Sequence, residues 1–406
     1  MIPFRHARRR HVGARSRSPV RSAALLLLIG AACAGGSSVA PDAETRLVDV
    51  WDQMTEPVDP DTWTLHDPSR IVESDGSLVI AVTGKEQAHG YDCGLETWTL
   101  TPGDAFWQPG RCLLRAKPRW IAEELPTNDG AYWAPAFLNA DALYYSVSSG
   151  FDDEAGGSCI GLLQASGEGP ERRWEDVGRP ITCSFGNEQS HAPHPAAIDP
   201  ATLVDAQGRA WLLYGGGHIY AIEVDPDTGL PVGDGWWRED STDHVHLANG
   251  PTVTPDGLPT DEELWVEAPY LYEHAGFFYL FVNWYACCNG ADSTYEIRVG
   301  RAETLEGPFV DADGVPMLDG GGTLLMASEG DRIGPGHVGL YPVDVAGSQR
   351  ALMTYHYYPE SGTPWATVGA RLLRWEDGWP RAEAEDVDLG SLFDRPAATG
   401  RQGCEP

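Results

Sequence analysis

The chain is poor in basic residues, and lysine is the scarcest of them. Of 406 residues, 28 are lysine or arginine and 60 are aspartate or glutamate, and the only lysines are Lys85 and Lys117. Nucleic acids and anionic membrane surfaces attract positively charged proteins. The charge balance therefore argues against both as partners, although solubility alone is a sufficient reason for so acidic a surface.

Long apolar runs are missing after residue 33. The first 21 residues carry seven arginines and no acid, the small and apolar run Ala23–Ala32 follows, and Cys33 comes next. Ten residues are too few to cross a bilayer, which takes about 20, and the layout is typical of a secretory signal. We predict an exported protein with a signal peptide at 1–32. Its removal takes the formal charge from −32 to about −39, because seven arginines are lost.

A lipid anchor is predicted at the end of this signal. Gly30-Ala31-Ala32 before Cys33 resembles a bacterial lipobox, with glycine where leucine is usual. Residues 33–60, rich in Gly, Ser, Pro and Asp, would then form a tether. The alternative is a plain signal peptide with a chance cysteine and a secreted protein. Membrane contact is expected only through this anchor, and we expect a monomer.

Helical periodicity is hard to find, and five proline-bearing motifs recur instead. They are His66-Asp67-Pro68, Trp133-Ala134-Pro135, Ile198-Asp199-Pro200, Glu267-Ala268-Pro269 and Gly334-Pro335-Gly336-His337. Successive prolines lie 65 to 69 residues apart. An apolar, β-rich run follows each motif: Leu78–Val82, Leu143–Val147, Trp211–Tyr214, Phe277–Trp284 and Ala351–Tyr358. A fixed period with a fixed layout indicates one supersecondary unit used five times.

The period favours an all-β fold. About 65 residues suit a four-stranded sheet with generous loops, and five such sheets placed radially form a β-propeller, which closes its strand edges on itself. We predict a five-bladed β-propeller over residues 61–395, followed by a tail at 396–406.

Cysteine usage fits export. Cys93/Cys112 and Cys159/Cys183 lie 19 and 24 residues apart, each pair inside one predicted blade. Either pair would close a loop worth about 3 kcal/mol. Cys287 and Cys288 are adjacent, and Cys404 is left over. The sequence leaves the pairing open. No CxxC pair or Cys/His cluster has zinc spacing, which argues against a metal–thiolate site.

Three motifs carry an acid beside the proline: Asp67, Asp199 and Glu267. An aspartate before proline is an ordinary turn starter. Three acids at one phase of a five-fold repeat would instead point at one another across the central hollow. Two carboxyl groups flanking a sugar can hydrolyse a glycosidic bond, and a third raises the pKa of the proton donor. We therefore predict a glycoside hydrolase with these three acids as catalytic residues.

At these motifs the chain resembles glycoside hydrolase family 43, and within it the endo-α-1,5-L-arabinanases, over about residues 63–380. The stretch from Cys287 to Arg301, which reads CCNGADSTYEIRVGR, is similar to the arabinanase branch in particular. The resemblance implies that Asp67 is the general base, Glu267 the general acid and Asp199 the acid that tunes and orients Glu267. It also implies inversion at the anomeric carbon.

The resemblance implies a cofactor as well. Gly334-Pro335-Gly336-His337 matches a motif whose histidine faces a central cation, usually calcium, held otherwise mostly by water. We expect calcium at His337. His356, on the last apolar run, could face the same pore, although packing is the plainer interpretation.

The expected partner is arabinan or arabino-oligosaccharides, cut internally. Trp133 is a candidate sugar platform or a core residue, Asn283 ends the fourth apolar run and could reach the groove, and Ser293 lies in the loop shaped by Cys287-Cys288. We predict all three in substrate binding. One alternative is an exo-acting arabinofuranosidase or xylosidase of the same family. Another is a surface lipoprotein that binds glycans without cutting them.

Two departures affect substrate choice. Ala136 stands where relatives usually carry aspartate, and after Gly215 the chain reads Gly216-Gly217-His218 where they usually read Ser-Phe-Trp, with a sugar-stacking tryptophan. We predict a wider pocket, or weaker sugar contacts, than in a typical arabinanase.

Overall fold

A computed structural model describes residues 64–389, apart from 75, 86–92, 102–103, 105–106, 150–156, 168–171, 186–195, 234–243, 346 and 361–364. The predicted signal peptide, Cys33, the predicted tether, Cys404 and the predicted tail lie outside the described residues. Among the residues described, no helix is both long and apolar enough to cross a membrane.

Five antiparallel sheets follow one another along the chain. Blade 1 comprises β1 (Val72–Ser74), β2 (Ser77–Val82), β4 (Leu95–Leu100) and β5 (Gln108–Leu114). Blade 2 comprises β6 (Ala131–Asn139), β7 (Ala142–Ser148), β8 (Gly157–Ser166), β9 (Arg173–Asp176) and β10 (Thr182–Phe185), with β3 (Gly84–Lys85) added beside β6. Blade 3 comprises β11 (Ala201–Val204), β12 (Ala210–Tyr214), β13 (His218–Val224) and β14 (Val245–Asn249).

The last two blades are equally regular. Blade 4 comprises β15 (Val266–His274), β16 (Phe277–Trp284), β17 (Glu296–Ala302) and β18 (Thr323–Met326). Blade 5 comprises β19 (Arg332–Val345), β20 (Ser348–Pro359), β21 (Thr367–Glu376) and β22 (Trp379–Ala382). The predicted five-bladed β-propeller is therefore confirmed.

Each predicted apolar run lies in or along the second strand of its blade: β2, β7, β12, β16 and β20. These strands are largely buried, as β16 illustrates with six of its eight residues. A strand covered on both faces reads as a continuous hydrophobic run rather than an alternating one. The neighbouring blades cover both faces, and this explains why the runs were visible in the sequence.

Apolar clusters fill the spaces between adjacent blades. One joins blades 1 and 2, one joins blades 2 and 3, and the largest joins blades 3, 4 and 5. A fourth contains Ile80 from blade 1 and Leu352 from blade 5, so the ring closes through packing. The N–H of Leu65 also donates to the carbonyl of Ala366, 2.9 Å away, which ties the first motif to the last blade.

Two disulfides cross-link the blades internally, Cys93–Cys112 in blade 1 and Cys159–Cys183 in blade 2. Both are pairings that the sequence spacing allowed. The adjacent cysteines Cys287 and Cys288 are bonded to each other in the loop after β16. One short helix, α1 (Arg119–Glu124), links blades 1 and 2 and buries Trp120 and Ile121 between them.

Candidate active site

One residue per blade has a left-handed backbone shortly before or within the first half of the innermost strand (β1, β6, β11, β15 or β19), and together these residues form what we call the axial ring. Its members are Asp67 (φ 49°), Ala134 (φ 47°), Asp199 (φ 53°), Ala268 (φ 50°) and His337 (φ 58°). Positive φ is uncommon for residues other than glycine and clusters at functional sites. Five-fold recurrence of this kink therefore places these residues at equivalent positions around the propeller axis.

Two residues occupy a position in the repeat that differs from the predicted one. Glu267 comes one residue before the ring member Ala268, so it is not equivalent to Asp67 and Asp199. His337 is equivalent to them, although its motif was aligned through Pro335. The proline spacing concealed this difference, because β19 begins early and Pro335 precedes the kink instead of following it.

The backbone N–H groups of the axial ring are held by side chains of the preceding blade. Ala134 donates to Thr83 (2.8 Å), Asp199 to Ser146 (2.9 Å) and His337 to Asn283 (3.0 Å), and the N–H of Asp67 lies 3.3 Å from His356 Nδ1. Each acceptor lies near the end of a second strand. A buried N–H needs a partner, so these contacts fix the kinks and the relative positions of the blades.

Blade 3 departs from this pattern in a way that gives Asp199 a structural role. Gly215 stands where blade 1 has Thr83, since each donates its N–H to the residue before the ring member, Ile198 or His66, at 2.9 Å. Glycine has no side chain to offer to blade 4. Asp199 Oδ2 accepts the N–H of Ala268 instead, at 3.0 Å. Asp199 thereby holds the backbone of the residue next to Glu267.

Asp67 is surrounded by hydrogen-bond donors. Thr83 Oγ1 donates to Oδ2 at 2.6 Å, and His66 Nδ1 lies 2.7 Å from the same oxygen. On the other oxygen, Oδ1, His356 Nδ1 lies at 3.2 Å and His337 Nδ1 at 3.4 Å. Burial works to raise the pKa of Asp67, but the charges of His66 and His337 and the hydrogen bonds of His356 and His66 outweigh it. The pKa lies well below the ordinary value, and Asp67 is ionised.

The pKa values of Asp199 and Glu267 are shifted upward, opposite to that of Asp67. Burial raises the pKa of Asp199, and the neighbouring charges of Glu267 and Asp67 raise it further, well above the ordinary value. Burial also raises the pKa of Glu267, against hydrogen bonds from Trp265 and Tyr295 that lower it. The two acids interact and titrate as a pair. This pair can hold a proton that Asp67 cannot.

His66 is fixed by a directional chain of hydrogen bonds. The N–H of Cys288 donates to Tyr358 Oη at 3.1 Å, and that hydroxyl lies 2.7 Å from His66 Nε2. If Tyr358 donates to Nε2, the proton of His66 is on Nδ1, which faces Asp67. The vicinal disulfide loop is in this way connected to the ionised acid.

The predicted substrate-binding residues differ in accessibility. Trp133 is partly exposed and pairs with Ser146 in the sheet. Asn283 is 1% exposed, and its amide group bonds His337, Pro335 and Glu296 inside the protein. This burial contradicts a direct sugar contact for Asn283, because its polar atoms are already used between blades 4 and 5.

Ser293 is also enclosed. It is 5% exposed, and its hydroxyl accepts the N–H of Asn289 at 3.1 Å in the loop after the vicinal disulfide. The described contacts give it a role in shaping that loop, and its predicted substrate contact has no support from them.

Ala136 and His337 line the same small cavity, to which all five blades contribute residues. Arg70 also lines it, and its guanidinium group donates to the carbonyls of Phe137 (2.9 Å) and Leu138 (2.6 Å) in blade 2.

The sequence of the propeller matches the family model for glycosyl hydrolases family 43 over residues 105–380, more than half of the chain. The chain belongs to this family. It is a glycoside hydrolase, as the three acids predicted.

Individual relatives of the family were compared as well. The chain is 28% identical over 291 residues to the extracellular exo-α-(1→5)-L-arabinofuranosidase of Cellvibrio japonicus, covering 70% of this chain and 78% of the relative. It is 29% identical over 324 residues to the extracellular endo-α-(1→5)-L-arabinanase 1 of Bacillus subtilis, covering 78% and 87%. The crystal structure of an exo-1,5-α-L-arabinanase from a bovine ruminal metagenomic library aligns with a TM-score of 0.63 and 28% identity, covering 81% of this chain and 99% of that one.

Several residues around the acids of this family 43 enzyme were not singled out from the sequence as site residues: Thr83, Trp265, Tyr295 and Tyr358. Trp265 and Glu267 had a detectable signal, since residues two apart on a strand share a face. Thr83 and Tyr358 had none, because Thr83 bonds Asp67 and Tyr358 bonds His66 from distant parts of the chain. His356, left open between pore and packing, contacts Asp67.

Proposed function

We propose that this enzyme hydrolyses α-1,5-linked L-arabinan by inversion, with Asp67 as base and Glu267 as acid. The observation that carries the proposal is the division of charge: Asp67 is held ionised while Asp199 and Glu267 are held towards protonation. An inverting glycosidase needs such a pair, one carboxylate to activate water and one acid to protonate the leaving oxygen. The relatives that act on this linkage support the substrate.

In this mechanism Asp67 takes a proton from water while the water attacks the anomeric carbon. Glu267 gives its proton to the glycosidic oxygen as that bond breaks. Asp199 and Glu267 titrate as a coupled pair with raised pKa values, and Asp199 also fixes the adjacent Ala268 N–H. We expect the carboxyl groups of Asp67 and Glu267 to stand about 6.5–9.5 Å apart during the reaction, as inversion requires. Proton NMR of the first product would show the anomer opposite to that of the substrate, and retention would contradict the mechanism.

We further propose endo action, with exo action as a second candidate. The second candidate has specific support, since an exo-acting and an endo-acting relative match this chain at nearly equal identity. The deciding experiment follows product length over time on debranched and branched arabinan, with xylan and galactan as controls. Early oligomers support endo action, release of arabinose alone supports exo action, and preference for xylan would overturn the arabinan proposal.

A calcium ion near His337 is proposed as a cofactor. The described groups around His337 are the carboxylate of Asp67 and the imidazoles of His66 and His356, so a calcium ion here would take one carboxylate oxygen from the protein and would be held otherwise by water. The buried Nε2 of His356 has no hydrogen-bond partner among the described residues, which supports room for a water or an ion beside it. Such an ion would reduce the repulsion among the three acids.

We propose that the enzyme is exported and acts at the cell surface, attached through a lipid on Cys33, as a monomer. Both curated relatives are described as extracellular, which supports export. Replacement of Cys33 by serine and fractionation of cells would test the anchor: a soluble product is expected, and unchanged membrane association would contradict it.

A further inference from the structure

Trp265 lies beside the proposed proton donor, Glu267, and is unusually exposed for a large apolar residue. It directly precedes β15 and retains 42% of its surface exposed. Its indole N–H donates to Glu267 Oε2 over 2.6 Å. Exposed tryptophan is commonly found where a partner covers it, since its ring provides a large apolar area and one polar group.

The backbone of Trp265 is tied to both sides of the site. Its carbonyl accepts the N–H of Tyr285 at 3.0 Å, and the carbonyl of the next residue, Val266, accepts the N–H of Gly217 at 2.8 Å. The ring is therefore carried on a braced segment between blades 3 and 4, and its exposure does not result from a loose chain.

Two glycines of blade 3 make room for the ring. A Cβ on Gly216 would lie 2.6 Å from Cζ2 of Trp265 and 2.8 Å from Cδ1 of Ile198, both too close. A Cβ on Gly217 would lie 3.6 Å from the same indole. In the sequence the glycine pair indicated a loss of sugar contacts. In the structure it leaves the space against which the indole of Trp265 packs.

We infer that Trp265 is a sugar-binding platform of this enzyme and that its indole N–H also fixes the orientation of the proton donor Glu267. The open part of the ring offers an apolar surface to the C–H face of a sugar residue next to the bond that is cut. Because an indole N–H can only donate, Oε2 is an acceptor in this contact, and the transferable proton is carried by Oε1. The inference rests on the proposed role of Glu267 as the general acid.

The two roles separate in two substitutions. Trp265→Phe retains an aromatic platform and removes the N–H, whereas Trp265→Ala removes both. Trp174→Phe in the outer strand β9 is the matched control for loss of one indole. The hydrogen bond from Trp265 lowers the pKa of Glu267, so its removal raises that pKa. The donor then keeps its proton to higher pH.

The expected results follow for α-1,5-arabino-oligosaccharides, or for whichever glycan the wild-type enzyme cuts. Trp265→Phe should leave KM within about twofold and move the alkaline limb of the pH–rate profile upward. Trp265→Ala should raise KM roughly 3- to 10-fold in addition. An unchanged KM in Trp265→Ala would overturn the platform, and an unmoved alkaline limb in Trp265→Phe would overturn the orienting contact.

A binding experiment separates failure of this inference from failure of the proposed function. In a Glu267→Gln background, arabinohexaose binding should quench tryptophan fluorescence, and adding Gly216→Ala should weaken binding because the new methyl group displaces the indole. Unchanged binding with Gly216→Ala would contradict the platform while hydrolysis by the wild-type enzyme still stands. If the wild-type enzyme cuts none of the glycans tested, the proposed function fails first, and the inference with it.

Discussion

Asp67 and Asp199 occupy the same position in blades 1 and 3, yet their pKa values are shifted in opposite directions. Both are aspartates before proline, with φ of 49° and 53° shortly before an innermost strand. The pKa of Asp67 lies well below the ordinary value and that of Asp199 well above it. Identical local structure therefore does not decide the protonation state.

The difference comes from what the neighbouring blades contribute. Blade 5 brings His356 and His337 to Asp67, and Thr83 adds a hydroxyl from blade 1. Blade 4 brings a second carboxyl group, Glu267, to Asp199, with a single backbone N–H as donor. A carboxylate among donors is stabilised as the anion, and a buried carboxyl beside another acid is stabilised as the neutral form. Equivalent positions of the repeat thus hold one carboxyl group with a lowered pKa and one with a raised pKa.

The largest loss of activity is expected when the base, Asp67, is removed. Asp67→Asn should lower kcat by roughly 10²–10⁴-fold, the usual contribution of a positioned acid–base group, with the fold intact. Asp227→Asn in an exposed turn is the control and should retain full activity. Initial rates and circular dichroism together test the prediction, and near-full activity of Asp67→Asn would exclude Asp67 as the base.

Removing Asp199, the carboxyl group beside Glu267, should shift the pKa of the proton donor. Asp199→Asn leaves Glu267 without a neighbouring carboxyl, so the pKa that governs the proton donor falls. Because the donor works when protonated, the alkaline limb of the pH–rate profile should move to lower pH, with a smaller loss of rate than for Asp67→Asn. Trp265→Phe should move the same limb in the opposite direction, which makes the two variants controls for each other.

Removing a hydrogen-bond donor from Asp67 should shift the pKa of this base. The charge and hydrogen bond of His66 lower the pKa of Asp67, so His66→Ala raises it. A base works when ionised, and the acid limb should therefore move to higher pH, with a loss below about 100-fold. Tyr358→Phe leaves the imidazole and removes only the hydroxyl that fixes it, so its shift should be smaller. An acid limb unmoved in both variants would contradict this account of Asp67.

The smallest expected effect concerns the proposed cation. His337→Ala, or treatment with a calcium chelator, should lower activity several-fold without unfolding the propeller, and added calcium should restore the chelated enzyme but not the variant. Metal analysis of the purified protein gives the independent measurement. A metal-free protein whose activity is indifferent to chelator would refute the calcium proposal.

Much of the fold was predictable because it is repeated. The kinked motif and the buried second strand recur in every blade, and a strand covered on both faces shows as an apolar run such as Phe277–Trp284. The cysteine spacing allowed both pairings within blades, although it did not select them. The three acids were visible because each stands beside a proline of the repeat.

The remainder depends on contacts that no local pattern encodes. Glu267 was placed one residue out of phase and Asn283 was assigned to substrate, because the kinks and the amide contacts form only when blades 4 and 5 are packed together. The role of Gly216 depends on an indole 49 residues further along the chain.

The sequence by itself determined the repeat, the acids and the family, since these are properties of residue type and spacing. Only the tertiary structure decided which acid has its pKa lowered and which has its pKa raised. The physical reason is that a pKa depends on the groups within a few ångströms in space, and around Asp67 and Asp199 those groups come largely from neighbouring blades distant in the chain.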